Sequence, residues 1–356
     1  MKILSRYLLR ELVPGFFLGL VIFSFLLLAD HIFKINDLII VKKLAPLTAA
    51  RLFFYQFPFV LTITIPIGLL MAMVLGWGRL KADNEVIAIL SSGQSLKRLI
   101  LLSLLVGFLF SLVLLFLNET LLPSASFKYR TLYTSVSKSH PLLTLDENTF
   151  FKIGQRQLYV DKIDRKNKEL KGIYIHDNSK EDAKTIVAKI GRWEVLEPDI
   201  IALKLEEGLI HHLGRDDKYQ ILEFTEYTIF LNFSKEKISK SHMEMTYGEL
   251  KEQIKKEKSP LSNFLKISLY KKISGPFACL SLTLIGVPLG ILIGRRQRSL
   301  GFGLSLLVVL GYYIFMAGGE ILGKKSLISP FFSAWGANLF FAGLGLYLIR
   351  RIKIRC

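Results

Sequence analysis

The chain has 356 residues, 51% of them hydrophobic, and a formal net charge of +18. Its mean hydropathy is +0.40, unusual for a soluble protein of this length, and much of the basic excess stands beside apolar runs. That placement excludes a nucleic-acid face as the main reason for the charge and points to membrane topology and anionic lipid. The two cysteines, Cys279 and Cys356, imply no disulfide framework and no metal-ligand spacing.

In chain order, the first apolar run covers about 14–33. Lys2, Arg6 and Arg10 precede it as in a signal peptide, yet no small-residue cleavage site follows, so a retained helix is expected. Further runs cover about 52–77 and 99–121. Each is close to the ~20 residues that cross a bilayer core. A long polar region comes next, at about 123–263. Its segments "FFKIGQRQLYVDKI", "KGIYIHD", "KTIVAKIGRWEVLE", "IIALKLEEGLIHHLG" and "YQILEFTEYTIFLNF" are rich in β-branched and aromatic residues, with turn residues between. They predict one sandwich or jelly roll. "KEQIKKEKSP" reads as a charged helical return. Three more apolar runs follow at about 273–293, 300–322 and 331–349.

The expected fold is therefore a six-span α-helical membrane protein with an all-β, jelly-roll-like domain inserted between spans three and four. Its parts are 1–122 with spans one to three, the β domain at 123–263, and 264–356 with spans four to six. Basic clusters flank the spans: Lys2, Arg6 and Arg10; Arg79, Lys81, Lys97 and Arg98; Arg295, Arg296 and Arg298; Arg350, Arg351, Lys353 and Arg355. An even number of spans puts all four on one side, which the positive-inside rule makes the cytoplasm. Both termini are then cytoplasmic and the β domain periplasmic.

Between spans two and three lies "RLKADNEVIAILSSGQSLKR". Asp83 or Asn84 suits a helix start, and Glu85 in the first turn suits the helix dipole. Val86, Ile87, Ile89 and Leu90 supply an apolar face, and Gly93 suits the C-terminal cap. A helix at about 83–92 is too short to stand alone. It must rest either on lipid or on a protein, and its residues alone do not choose.

Other motifs carry less. Gly318, Gly323 and Lys324 have the spacing of a phosphate loop, but Lys325 replaces the magnesium-binding Ser or Thr and no strand precedes. His211 and His212 are neighbours on a predicted strand and point to opposite faces. Gly286, Gly290 and Gly294, like Gly15 and Gly19, read as close helix packing. Asp30 and Glu320 stand near span ends, where either can pair with a basic group. Lys34, at the end of span one, is placed to snorkel to the interface.

Taken in order, "RYLLRE", Pro58 and Pro66, "RLKADNEVIAILSSGQSLKRL", "MTYGEL", "LIGVPLGILIGRRQRSLGFG", "GYY" and "ISPFFSAWGAN" resemble the lipopolysaccharide-export permease family LptF/LptG over nearly the whole chain. The resemblance is weakest in the β region. It implies a permease subunit, not an enzyme, of an exporter that lifts lipopolysaccharide from the bacterial inner membrane to a periplasmic β bridge. The implied partners are an LptB-like ABC ATPase dimer, a second LptF/LptG-like permease, and LptC- or LptA-like bridge proteins. ATP and Mg would reside in the ATPase, leaving this chain without a cofactor. The segment containing Asp83, Glu85, Val86, Ile87, Leu90 and Gly93 would be the coupling helix, with Glu85 at the family's acidic contact. Lys34 matches a basic position that faces the lipopolysaccharide headgroup. The resemblance leaves open an LptF or LptG role. Exporters of other substrates, and a membrane scaffold without an ATPase, are the alternatives.

Overall fold

A computed structural model describes residues 2–40, 45–139, 147–153, 156–164, 167, 169–177, 184–197, 200–213, 219–232, 240–256, 261–293 and 298–355. These form two compact units. One contains Met1–Asp37, Ala45–Tyr129 and Lys240–Cys356, and the other Leu38–Leu44 and Arg130–Ser239.

The helices are α1 (Lys2–Ile40), α2 (Pro46–Ala82), α3 (Glu85–Ser91), α4 (Leu96–Ser139), α5 (Tyr247–Lys256), α6 (Leu261–Ser274), α7 (Ala278–Ile293), α8 (Arg298–Lys324) and α9 (Pro330–Arg355). Among the described residues, α1, α2, α4, α8 and α9 are each long and apolar enough to cross a membrane. The fourth expected span corresponds to the pair α6 and α7, bent by 53° at its break.

Two boundaries differ from the sequence expectation. The fourth membrane segment begins at Leu261, not near 273, because the helix persists through Lys266, Lys271 and Lys272. The boundary placed at 123 falls inside α4, which runs for 44 residues with Pro123 within it. At this turn the Thr120 hydroxyl donates to the Phe116 carbonyl at 2.7 Å and the Ser124 hydroxyl to that of Leu121 at 3.0 Å.

α2 is the centre of the helical unit, with 72% of its membrane window buried against 22–33% in the other continuous spans. Small residues let its neighbours approach to backbone contact. A Cβ added at Gly15 of α1 would stand 2.9 Å from the Ala72 Cα of α2. One added at Gly290 of α7 would stand 2.8 Å from the Met73 carbonyl oxygen. Buried polar groups close the same core. The Trp77 indole donates to Ser103 at 3.1 Å, and Ser24 donates to Thr64 at 3.2 Å.

The break between α6 and α7 falls at Gly275-Pro276-Phe277. It leaves helix-end carbonyls that need donors. Asn338 of α9 donates to the Ser274 carbonyl at 2.6 Å and accepts from the Tyr312 hydroxyl of α8 at 2.8 Å. Asn118 of α4 donates to the Lys272 carbonyl at 3.4 Å.

The other unit carries one six-stranded antiparallel sheet: β1 (Thr149–Ile153), β2 (Arg156–Asp164), β3 (Glu169–Asp177), β4 (Lys184–Glu197), β5 (Ile200–Leu213) and β6 (Tyr219–Asn232), in that spatial order. Alternate residues such as Leu158, Val160, Ile173, Ile175, Leu203 and Leu205 form its core. In a flat sheet β2 and β6 would lie ~19 Å apart, four strand spacings. Instead Arg156 of β2 donates to the Phe230 carbonyl of β6 at 3.0 Å. The sheet is rolled over its own core. The expected all-β insert is thus a rolled meander rather than two separate sheets, and β1 and β6 are its edges.

The glycine contacts give a paired prediction. Gly290→Leu should destabilise the protein by about 1–3 kcal/mol through overpacking. Gly303→Ala, inside α8 where no heavy atom lies within 4 Å of the added Cβ, should not destabilise the protein and should stabilise it by up to about 1 kcal/mol. Thermal unfolding in the same detergent compares them, and equal effects would contradict a packing role for Gly290.

Candidate functional site

α3 leaves α2 through a two-residue turn. The Asp83 amide still donates to the Arg79 carbonyl at 2.9 Å, and Asn84 takes a left-handed conformation with φ 60°. The expected side-chain cap from Asp83 or Asn84 is absent. Its geometric reason is the reversal itself: a capping residue needs extended backbone, whereas this turn uses a left-handed residue, a conformation asparagine tolerates. The Asp83 carboxylate instead accepts from Arg79 at 3.4 Å.

Gly93 ends α3 with φ +73°. The Gly93 amide donates to the Leu90 carbonyl at 3.0 Å and the Gln94 amide to that of Ile89 at 3.2 Å. This paired pattern satisfies helix-end carbonyls.

α3 seats one face and exposes the other. Val86 is 1% exposed, in a cluster with Leu8, Trp77, Leu80 and Leu99, and Ile89 and Leu90 pack against it. Ile87 is 50% exposed. It was expected on the apolar face with Val86; a helical step of 100° turns it away.

Residues from α1 hold this seat, and sequence reasoning gave them no site role. The Tyr7 hydroxyl donates to Glu85 at 2.8 Å. Arg79 grips both oxygens of Glu11, at 2.7 and 2.6 Å. Tyr7 and Glu11 are four residues apart within "RYLLRE" and so share a helix face. That spacing was the available signal.

A second polar group stands about 30 Å away along α2, measured from Arg79 to Phe59 at 1.5 Å per residue. It surrounds a cavity of about 180 Å³ whose lining includes Phe59, Asn118, His242, Lys271, Lys272 and Glu320. Glu320 accepts from Lys271 at 2.6 Å and from Lys324 at 2.7 Å. Lys272 stands 3.4 Å from Glu119. Glu119 also accepts from the Tyr247 amide at the start of α5, at 2.9 Å. Burial, followed by the charge of Lys324, pushes the His242 imidazole below its usual pKa.

"MTYGEL" forms the start of α5. The Thr246 amide donates to the Glu249 carboxylate at 2.9 Å, and the Glu249 amide to the Thr246 hydroxyl at 3.3 Å. This is a reciprocal capping box. The hydrogen bond from Lys240, and then that from the Thr246 amide, hold the Glu249 carboxyl below the ordinary carboxylate range.

Of the other sequence candidates, Lys34 lies on α1, but its side chain and that of Asp30 fall outside the described residues. The apparent phosphate-loop glycines lie within continuous α8, where Lys324 sits 5.2 Å from the Phe264 ring centroid. Among the described residues, no group of three His, Cys, Asp or Glu could hold a metal ion.

Five continuous apolar helices, a bent pair and an inserted rolled sheet are the architecture of a multi-pass membrane protein. The chain belongs to the family described as lipopolysaccharide export system permease LptF/LptG, whose profile matches residues 6–351. No curated protein matches the chain. Membership makes it an inner-membrane transport permease of the lipopolysaccharide export system rather than an enzyme.

The capping box predicts a pH response. A carboxyl with a lowered folded pKa stabilises above the ordinary carboxylate range and loses that contribution as pH falls through the folded value. Amide protection at 248–250 should therefore hold at neutral pH and fall as the pH drops below the ordinary carboxylate value of about 4.5. Glu249→Gln should flatten the response, and Thr246→Ala should cost about 1 kcal/mol. An unchanged pH response in Glu249→Gln would assign the effect elsewhere.

Proposed function

We propose that this chain is the membrane half of an ATP-driven exporter, powered by a separate LptB-like ABC ATPase dimer that docks on α3. The carrying observation is that α3 is anchored by Val86 and presents Ile87 outward, directly between two spans. A helix exposed in this way is a handle. Nucleotide-driven movement of the ATPase would push α3 and, through Tyr7 and Arg79, α1. The basic residues near this end support its placement in the cytoplasm, with both termini there and the β unit in the periplasm.

A second LptF/LptG-like permease would complete the cavity. Lipopolysaccharide would enter with its phosphates toward basic groups, among them Lys34. Lys271, Lys272 and Lys324, held by Glu320 and Glu119, would be the candidate cations for a headgroup near that end. The edges β1 and β6 support strand addition by LptC- or LptA-like β domains, since an edge presents unpaired backbone groups.

Two experiments separate the parts of this reading. Glu85→Lys reverses the charge of a contact residue and should weaken ATPase co-purification by about 1 kcal/mol, roughly fivefold, or more. Tyr7→Phe keeps the Glu85 charge and should retain the ATPase. Normal association and transport by Glu85→Lys would leave Glu85 as a helix-end acid only.

For Lys34, retention of lipopolysaccharide should follow the order Arg, Gln, Asp when each replaces it, with the ATPase bound in all three. Added salt should narrow the differences if the site is wet, since exposed charges are screened over ~8 Å. Equal lipid crosslinking across the series would reject a phosphate-binding role.

A further inference from the structure

The helical unit carries a second hollow, well removed from the cavity near Glu320. It is a groove of about 390 Å³ where the start of α4, the end of α9 and Leu90 of α3 meet. This size lies within the range that holds small ligands. Ile100, Leu101 and Leu104 form one wall, and Ile349 and Ile352 form another. Polar side chains gather at its rim: Ser95, Lys97 and Arg350.

The chemistry of the lining is asymmetric. No carboxylate is among the described residues that line it. In the cavity near Glu320, by contrast, carboxylates offset the lysines. Lys97 and Arg350 are both exposed, so their charge is available to a ligand. The groove therefore offers an apolar slot running along a membrane helix and two cations beside its polar end. Basic pockets between membrane helices recognise anionic lipid headgroups in this way.

We propose that the groove binds one anionic phospholipid of the surrounding bilayer. Its acyl chain lies along Ile100, Leu104 and Ile349, and its phosphate meets Lys97 and Arg350. A zwitterionic lipid supplies the same chain but carries its own compensating cation, so it gains less from the two side chains. Because Leu90 belongs to α3, the bound chain also supports the back of that helix. The site requires only a membrane and this chain; it stands whether or not an ATPase docks on α3.

The test uses the full chain in detergent, with native mass spectrometry of bound lipid. The probes are phosphatidylglycerol, phosphatidylcholine with identical acyl chains, and glycerol 3-phosphate. Wild type should retain phosphatidylglycerol over phosphatidylcholine, and should show no comparable retention of glycerol 3-phosphate. The double variant Lys97→Gln, Arg350→Gln should lose about tenfold or more of the phosphatidylglycerol retention. Leu101→Trp should lower retention of phosphatidylglycerol with both cations intact. Leu101 is 65% exposed, so a larger side chain there can enter the groove without disturbing the core. If the double variant does not fold, the lipid comparison in wild type and the Leu101→Trp result decide. Equal retention of the two lipids, equal binding of glycerol 3-phosphate, or undiminished phosphatidylglycerol in Leu101→Trp or in a folded double variant would each overturn the proposal.

Discussion

Backbone-to-backbone approach at α2 is the constraint on which the helical unit depends. In a bilayer, water does not drive apolar helices together, so close packing and polar contacts must do so. Gly15 allows α1 to touch α2, and Gly290 allows α7 to touch it. A larger side chain at either position would meet the α2 backbone and strain the packing. With α2 gripped on both sides, its end is fixed in space. α3 then has a firm base, and Trp77 can reach Ser103 of α4 at 3.1 Å.

Polar groups perform the second task, which is to reconcile irregular backbone with an apolar surrounding. The α6–α7 break would be costly in hydrocarbon without its donors. Asn338 and Asn118 supply them, and Tyr312 orients Asn338. The same helices bring Lys271 and Lys272 to Glu320 and Glu119. The break and the charged cavity are therefore one construction: the residues that mend the backbone also gather the ionic groups.

The six membrane segments were readable because each contains an apolar stretch near the bilayer length, a local property. Their ends were not. α4 continues past Pro123, where the sequence alone suggests a boundary. α6 was hidden because its lysines lower its hydropathy, while Glu119 and Glu320, which offset them, are far away in sequence. The strands were visible as alternating residues, but the roll of the sheet depends on a contact between Arg156 and Phe230. In the coupling segment, Val86 and Gly93 were legible as anchor and terminator. Ile87 was misplaced because seven residues give fewer than two turns, too little for a periodic pattern to resolve its face. Tyr7 and Glu11 went unassigned because their partners lie on other helices.

The unbroken course of α4 has a mechanical meaning. It starts five residues after α3 ends, at Leu96, and carries Glu119 to the first amide of α5. Between Leu96 and Glu119 lies ~35 Å of continuous helix. Such a rod is stiff along its axis, because stretching or compressing it strains every turn's hydrogen bonds at once. A displacement of its first turn by one residue's rise, ~1.5 Å, arrives at Glu119 almost undiminished. The route through α6 and α7 has a bend and would absorb part of the same stroke. Along its axis α4 is thus the stiffer of the two connections, and the bent pair is the more compliant one.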